Sequence, residues 1–321
     1  MTTALIGYAR VSIALTCIAV GLIHVPRLCA QSSEQVNLEQ LDDRIKVTIS
    51  DEVFTEYIFE GYEKPILFPV IGPYGTRMTR DYPMLQDTPH EQPDHVHHKS
   101  IWFGHMKVNG ESFWHSGDTA GTTVQSSIKI DGKNVLTENK LVDRNGDLVA
   151  TDSRVIGFGY DDNARYIDYQ VTYHANIGDI TFGDNKDGQM GIRMNPRLRI
   201  KGEVANGKAI NANGVTEKKI WGTRAPWIDY WGEVDGNVVG IAIFDHPTNL
   251  RHPTWWHARD YGLLSANPFG IHYFESRDDP KAGNYTLKKG DNLTFRHRFV
   301  FHKGDYEAAQ VADLYQKWIT N

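Results

Sequence analysis

Residues 165–173 read RYIDYQVTY, and this stretch constrains the fold more than any other. Ile167, Tyr169, Val171 and Tyr173 alternate with Tyr166, Asp168, Gln170 and Thr172. A period of two puts each set on its own face of a strand. The pattern recurs along the chain. Ile45, Val47 and Ile49 alternate with Lys46, Thr48 and Ser50, and strand-like runs follow at 53–59, 64–70, 101–108, 112–115, 126–130, 134–141, 148–160, 190–200, 238–244, 271–275 and 292–302. Asn109-Gly110, Asp131-Gly132 and Arg144-Asn145-Gly146-Asp147 supply hairpin turns between them. Pro65 and Pro69 predict that the run 64–70 is an edge or a strand end. Residues 72–93, with four prolines, read as a long ordered loop. Only 306–319 has helical spacing, in Ala308, Val311, Ala312, Tyr315 and Ile319, with Asp305 as its N-cap. Many short strands and one C-terminal helix predict an all-β sandwich or barrel.

Residues 1–30 have the layout of a secretory signal peptide. Arg10 precedes the apolar run 11–23, and Leu28-Cys29-Ala30 ends in a small residue. The run is shorter than the roughly 20 residues of a spanning helix, so an uncleaved anchor is the lesser alternative. Residues 31–43 read as a polar leader and 44–321 as a single domain, exported to the periplasm or beyond the cell. Both cysteines, Cys17 and Cys29, fall in the first segment, which leaves the remainder without disulfides, thiolate metal sites or a cysteine nucleophile. Removing Arg10 and Arg27 with that segment leaves 32 basic and 40 acidic residues, a formal net of −8. That balance argues against nucleic acid or anionic lipid as a partner.

Five of the fourteen histidines lie within 94–118, DHVHHKSIWFGHMKVNGESFWHSGD, beside Trp102 and Trp114. Histidine titrates near neutral pH and is the commonest metal ligand. In an extended segment His95 and His97 point to the same side, a spacing that suits one divalent transition metal. The alternative is that they hydrogen-bond within a loop or to a ligand. His105 is either a core histidine or the floor of a cleft. A second group, rich in Trp, His and Arg, follows the strand end at Asp245: His246, Arg251, His252, Trp255, His257, Asn267 and Glu275. Between the two lies WGTRAPWIDYWG, where Trp221 and Trp227 offer flat surfaces for a sugar ring and Arg224 a donor for its hydroxyls, unless the aromatics are core. No G-x-S-x-G, H-E-x-x-H or phosphate-binding glycine loop is present.

Four strings, DHVHHKSIWFGHMKVNGESFW, GQMGIRMNPRL, WGTRAPWIDYWG and VGIAIFDHPTNLRHPTWWHARDYGLLSANPFG, resemble the PmoA-like family of secreted bacterial proteins across roughly residues 60–320. That family is labelled "methane oxygenase PmoA" and is otherwise a domain of unknown function. The label fits poorly, because no spanning-length apolar run follows residue 30. The resemblance implies an all-β fold, a large antiparallel β-sandwich similar to the galactose-mutarotase-like supersandwich, with one C-terminal helix. Relatives of that fold act on or bind carbohydrates, and no motif carries their catalytic residues across.

The expectation is therefore an exported carbohydrate-active enzyme, with no spanning domain in the mature chain. Its ligand is a carbohydrate or other small molecule, handled by acid–base or metal-assisted chemistry. The groups expected in the chemistry are His97, His98, His105, Asp245, His246 and His257. Those expected to hold substrate are Trp102, Trp114, Trp221, Arg224, Trp227, Arg251, Trp255, Asn267 and Glu275. A non-catalytic sugar-binding envelope protein is the alternative, and a metal-dependent oxygenase a third reading.

Overall fold

The computed structural model describes residues 1–4, 7 and 35–320. The expected signal segment, 1–30, lies almost wholly outside them. The period-two runs form strands, in chain order β1 (Val36–Gln40), β2 (Arg44–Ile49), β3 (Glu52–Ile58), β4 (Ile66–Val70), β5 (Ile101–Phe103), β6 (Thr122–Asp131), β7 (Asn134–Val142), β8 (Leu148–Tyr160) and β9 (Ala164–His174). They continue as β10 (Ile180–Phe182), β11 (Met190–Arg193), β12 (Lys208–Asn211), β13 (Trp227–Val234), β14 (Asn237–Asp245), β15 (Trp255–Ala258), β16 (Leu263–Asn267), β17 (Tyr285–Leu287) and β18 (Asn292–Lys303). Two α-helices, α1 (Ile271–Phe274) and α2 (Val311–Thr320), and three 3-10 turns, at Pro73–Gly75, Pro196–Leu198 and Glu217–Ile220, complete the described elements.

Two eight-stranded antiparallel sheets result. The first runs β1-β2-β3-β4-β5-β11-β16-β15 and the second β12-β13-β14-β18-β9-β8-β7-β6, while β10 and β17 pair as a ribbon. Residues 35–320 make one compact unit. The core lies between the inner faces of the two sheets. Tyr169, Val171 and Phe301 of the second sheet belong to the same buried cluster as Val47, Phe103, Ile192 and Leu264 of the first. On the outer face of the second sheet, Val311 and Tyr315 of α2 cover Trp227, Ala242, Phe244 and Val300. No described helix is long and apolar enough to cross a membrane.

Several expectations change. The leader is not loose from residue 36 onward: β1 pairs with β2 from Val36–Ile49 to Gln40–Ile45, with Val36 buried. The proline-bearing β4 is interior, between β3 and β5. It tolerates Pro69 because that residue sits at a register shift against β3 and beyond the two positions that pair with β5, so no ladder donor is missed. The run 101–108 is a strand only to Phe103, although Val108 and Glu111 still close the Asn109-Gly110 turn. Residues 271–274 form the one-turn helix α1 rather than a strand. The C-terminal helix begins at Val311, and Asp305 instead caps the preceding turn by accepting the Ala308 N–H at 2.9 Å.

Candidate functional site

The site is built on the outer face of the first sheet. Register pairs Ile66 with Trp102, Trp102 with Gly191, Gly191 with Ser265, and Ser265 with His257. Paired residues share a face, so this row crosses four strand boundaries on one surface. A Cβ at Gly191 would stand 2.8 Å from Trp102 Cζ2 and 3.1 Å from Trp114 Cη2. The glycine leaves room for the two indoles, which meet edge to face at 5.0 Å. His98 stacks on Trp102 at 5.1 Å and 15°.

Two buried arginines hold the histidine segment in place. Arg80 comes from the 72–93 loop and Arg193 from β11, and both side chains are 0% exposed. Arg80 donates to the carbonyls of His98 (3.1 Å), Asp94 (2.9 Å) and His95 (2.7 Å), and to the Asp94 carboxylate at 2.9 Å. Arg193 donates to the same carboxylate at 3.0 Å and to His98 Nδ1 at 3.1 Å. Guanidinium only donates, so His98 Nδ1 accepts and its proton sits on Nε2. Burial pushes the Asp94 carboxyl up, but Arg193, His95 and Arg80 more than offset it and hold it below its usual range.

So held, 95–98 is a turn, closed by the His98 N–H on the His95 carbonyl at 2.9 Å. It is not the extended segment that would aim His95 and His97 at one metal. Their rings stand 5.8 Å apart at 70°. Among the described residues no group of three or more His, Cys, Asp and Glu side chains is arranged to hold a metal ion. Instead His95 is sandwiched between His98 (4.8 Å) and Tyr261 (5.3 Å), and His97 meets His115 edge-on at 4.7 Å. Burial first, then the charges of His115 and Lys64, push the His97 pKa down to about 3. His98 lies well below its ordinary value through burial and the charges of His97 and Arg193. Burial lowers His115 as well, against the pull of the Asp187 carboxylate.

The opposite wall comes from the loop 184–189. Asn267 donates to the carbonyls of Asn185 and Lys186, both at 2.9 Å, and Ser265 Oγ donates to the Gly188 carbonyl. The Met106 N–H bonds the Asp187 carbonyl at 3.0 Å. This fixes Asp187, which is 20% exposed, with Oδ1 3.6 Å from Nδ1 of the 3% exposed His257. Lys186 Nζ bonds both Asp187 oxygens at 2.8 and 2.9 Å. Burial pushes the His257 pKa down to about 4, against the pull of Asp187. Tyr261 is raised, chiefly by burial, and keeps its proton. The basin thus contains neutral imidazoles, a phenol and a carboxylate from four separate stretches.

Of the sequence-predicted residues, His95, His97, His98, Trp102, Trp114 and His257 come together here. The two tryptophans are fully buried, so they support the site and do not offer it a stacking face. Asn267 is also fully buried and anchors the 185–186 backbone rather than a substrate. His105 belongs to the core: Nε2 donates to the Gly183 carbonyl at 2.7 Å and the ring packs on Phe269 at 4.9 Å. Asp245 and His246 do not join the basin. Asp245 ends β14 in the second sheet, where its carboxylate takes Asn249 Nδ2 and His252 Nδ1, each at 2.7 Å, and the Thr254 N–H at 2.9 Å. His246 packs edge-on against Trp318 of α2 at 5.1 Å.

The remaining substrate candidates have structural roles. Trp227 is buried beneath α2. Arg224 lies over the Trp255 ring at 4.3 Å and donates to the carbonyls of Pro253 and Arg251. Arg251 ties together the carbonyls of Pro268, Gly283 and Asn284. Trp221 packs on Phe274 at 5.5 Å, and Glu275 pairs with Arg277 at 2.8 Å. Sequence reasoning missed Arg80, Lys186, Asp187, Arg193 and Tyr261 as site residues. The signals were the charged glycine-flanked loop 183–188 and an arginine two residues after Gly191. A surface cavity of about 510 Å³, lined in part by Tyr74, Asp161, Arg165 and Lys303, includes none of these groups. The basin is recognised by its chemistry.

The chain matches the family described as "Family of unknown function (DUF6807)" over residues 44–316, and it belongs to that family. No curated protein matches it. Among solved structures, a glycoside hydrolase family 97 enzyme from Pseudoalteromonas sp. strain K8 is similar at 10% identity, covering 83% of this chain and 34% of that one, with a TM-score of 0.30. A polysaccharide lyase is similar at 11% identity over 85% of this chain and 33% of that one, with a TM-score of 0.35. The chain therefore spans about a third of the length of these two proteins. A galactose mutarotase-like protein from Lactobacillus casei ATCC 334 is similar at 10% identity over 83% of this chain and 100% of that one, with a TM-score of 0.33.

Proposed function

We propose that this member of the DUF6807 family carries out acid–base chemistry on a sugar held over the outer face of its first sheet. The observation that carries the reading is the set of contacts that packs the 95–98 turn against His115 and Tyr261, with the Asp187 carboxylate 3.6 Å from His257 on the opposite wall. His115 is a half-buried imidazole within the electrostatic reach of that carboxylate and serves as the proton-exchanging group. Asp187 stabilises its charged form. His97 and the Tyr261 hydroxyl accept from and donate to sugar hydroxyls, and the half-buried faces of Tyr261 and His97 replace the expected tryptophans as apolar surface. The leader at 1–30 supports export to the periplasm or beyond the cell.

A second reading, non-catalytic sugar binding, is favoured by one observation. His97 and His257, at about 3 and about 4, exchange no protons near neutral pH and serve there as hydrogen-bonding groups. The oxygenase label of the PmoA resemblance would need a metal site, and the 95–98 turn does not provide the H-x-H geometry on which that expectation rested.

The test is incubation of the purified protein with mono- and oligosaccharides, followed by NMR. Turnover by the wild type that falls by about 10²-fold or more in Asp187→Asn and His115→Gln, with the fold retained, supports the proposal. Turnover that survives both substitutions removes the basin from the mechanism. Binding without turnover of any sugar selects the second reading.

A further inference from the structure

The charges around the basin do not balance. Lys99 pairs with Glu63 at 2.9 Å, Lys186 with Asp187 at 2.8 Å, and Arg80 and Arg193 share the single carboxylate of Asp94. One guanidinium of that pair therefore has no counter-ion of its own among the described residues. Lys64, buried and donating to the carbonyls of Trp114 (3.2 Å) and His115 (2.9 Å), is pushed down to about 7 by burial and so contributes only part of a charge near neutral pH. Arg259 is exposed, lies over the Tyr261 ring at 5.6 Å, and pairs with no carboxylate among the described residues. His97, His98 and His257, held neutral by burial, neither add to this charge nor offset it. The whole chain carries a net charge of −6, so a positive basin is a local departure from an acidic protein. Charge of one sign concentrated on one part of a surface attracts a ligand of the other sign.

We propose that the ligand of this basin carries a carboxylate, so that the sugars it takes are uronic acids, with Arg259 at the rim as the group that meets the carboxylate. This rests on the sugar-site reading above and narrows it. Arg259 has the right chemistry: a guanidinium presents a planar donor fork to a carboxylate, and Tyr261 limits its freedom beforehand. Asp94, Glu63 and Asp187 are engaged by their own cations, so they do not face an incoming anion uncompensated.

The test uses D-glucuronate and D-galacturonate against D-glucose and D-galactose. Binding is read from the His97 and His115 imidazole resonances and from calorimetry at low and high salt. The inference expects each uronate to bind at least about tenfold more tightly than its neutral counterpart, with the difference shrinking as salt rises. In Arg259→Gln the uronate-to-neutral affinity ratio should fall toward one. Arg259 is exposed, so this variant does not disturb the core. Neutral sugars that bind as tightly as uronates would overturn the inference and leave the sugar site standing. A wild-type preference that Arg259→Gln leaves unchanged overturns the assignment of Arg259. No response to any of the four sugars would overturn both the inference and the reading beneath it.

Discussion

Replacing Arg80 by methionine tests the physical basis of the site most sharply. The side chain makes four hydrogen bonds, three to backbone carbonyls of the 94–98 segment and one to the Asp94 carboxylate. Methionine fills much of the volume and donates to none. The His98 carbonyl is buried, and leaving it unpaired costs about 1–3 kcal/mol. The carbonyls of Asp94 and His95, and the Asp94 carboxylate, are nearer solvent; water takes over part of each bond, so each loses about 0.5–1 kcal/mol. Arg193 still holds Asp94. The sum is about 2.5–6 kcal/mol. It falls first on the turn, because a segment can open locally at less than the global cost. The assays are urea unfolding and amide exchange at His98, whose N–H closes the turn. A destabilisation above about 2 kcal/mol with His98 exchange accelerated ahead of β9 is expected. A loss below about 1 kcal/mol with His98 protection unchanged would refute the claim that Arg80 fixes this segment.

Other consequences can be measured on the same protein. Gly191→Ala drives a methyl into Trp102 and Trp114 and should cost about 1–3 kcal/mol in thermal or urea unfolding, with the His98 ring displaced. Acid should destabilise the fold. His97, His105 and His257, at about 3, about 4 and about 4, bind fewer protons folded than unfolded, so stability falls as pH drops from about 6.5 towards those values, and His105→Phe should flatten the slope. His302 acts in the opposite sense. Its pKa is raised because the buried Asp229 carboxylate, 2.9 Å away, more than offsets burial, so its contribution is complete below its unfolded pKa and fades as pH rises through the higher folded one. Asp229→Asn should remove that fading from urea midpoints measured across neutral pH. Gly240→Ala should do the same, since its Cβ would stand 2.2 Å from the His302 ring.

Much of the architecture was legible because strand alternation and turn chemistry are local. β9 and the hairpins at Asn109-Gly110 and Asp131-Gly132 form where the sequence placed them. β1 was hidden because an edge strand buries little, here chiefly Val36. The run Ile271–Phe274 is too short for period to separate strand from helix, and Asp184, accepting the His272 N–H at 2.8 Å, helps settle it as a turn of helix. The histidine density at 94–118 pointed to the face on which the proposed basin lies. It could not reveal Asp187, Tyr261, Arg80 or Arg193, which arrive through register across β5, β11, β16 and β15 and through the 72–93 loop. Asp245 misled because a carboxylate at a strand end among histidines looks the same in sequence whether it binds a ligand or, as here, takes its hydrogen bonds from its own loop.

The proposed site depends on one joint: two distant stretches, 94–118 and 184–189, and the strand β15 meet at Asp187. The most direct test is an NMR pH titration of the His115 and His257 imidazoles in the wild type and in Asp187→Asn. The carboxylate raises the proton affinity of both rings, so its loss should move both midpoints down together while His302, held by Asp229, stays in place. If neither His115 nor His257 moves, Asp187 does not join them and the site proposed here does not exist as described.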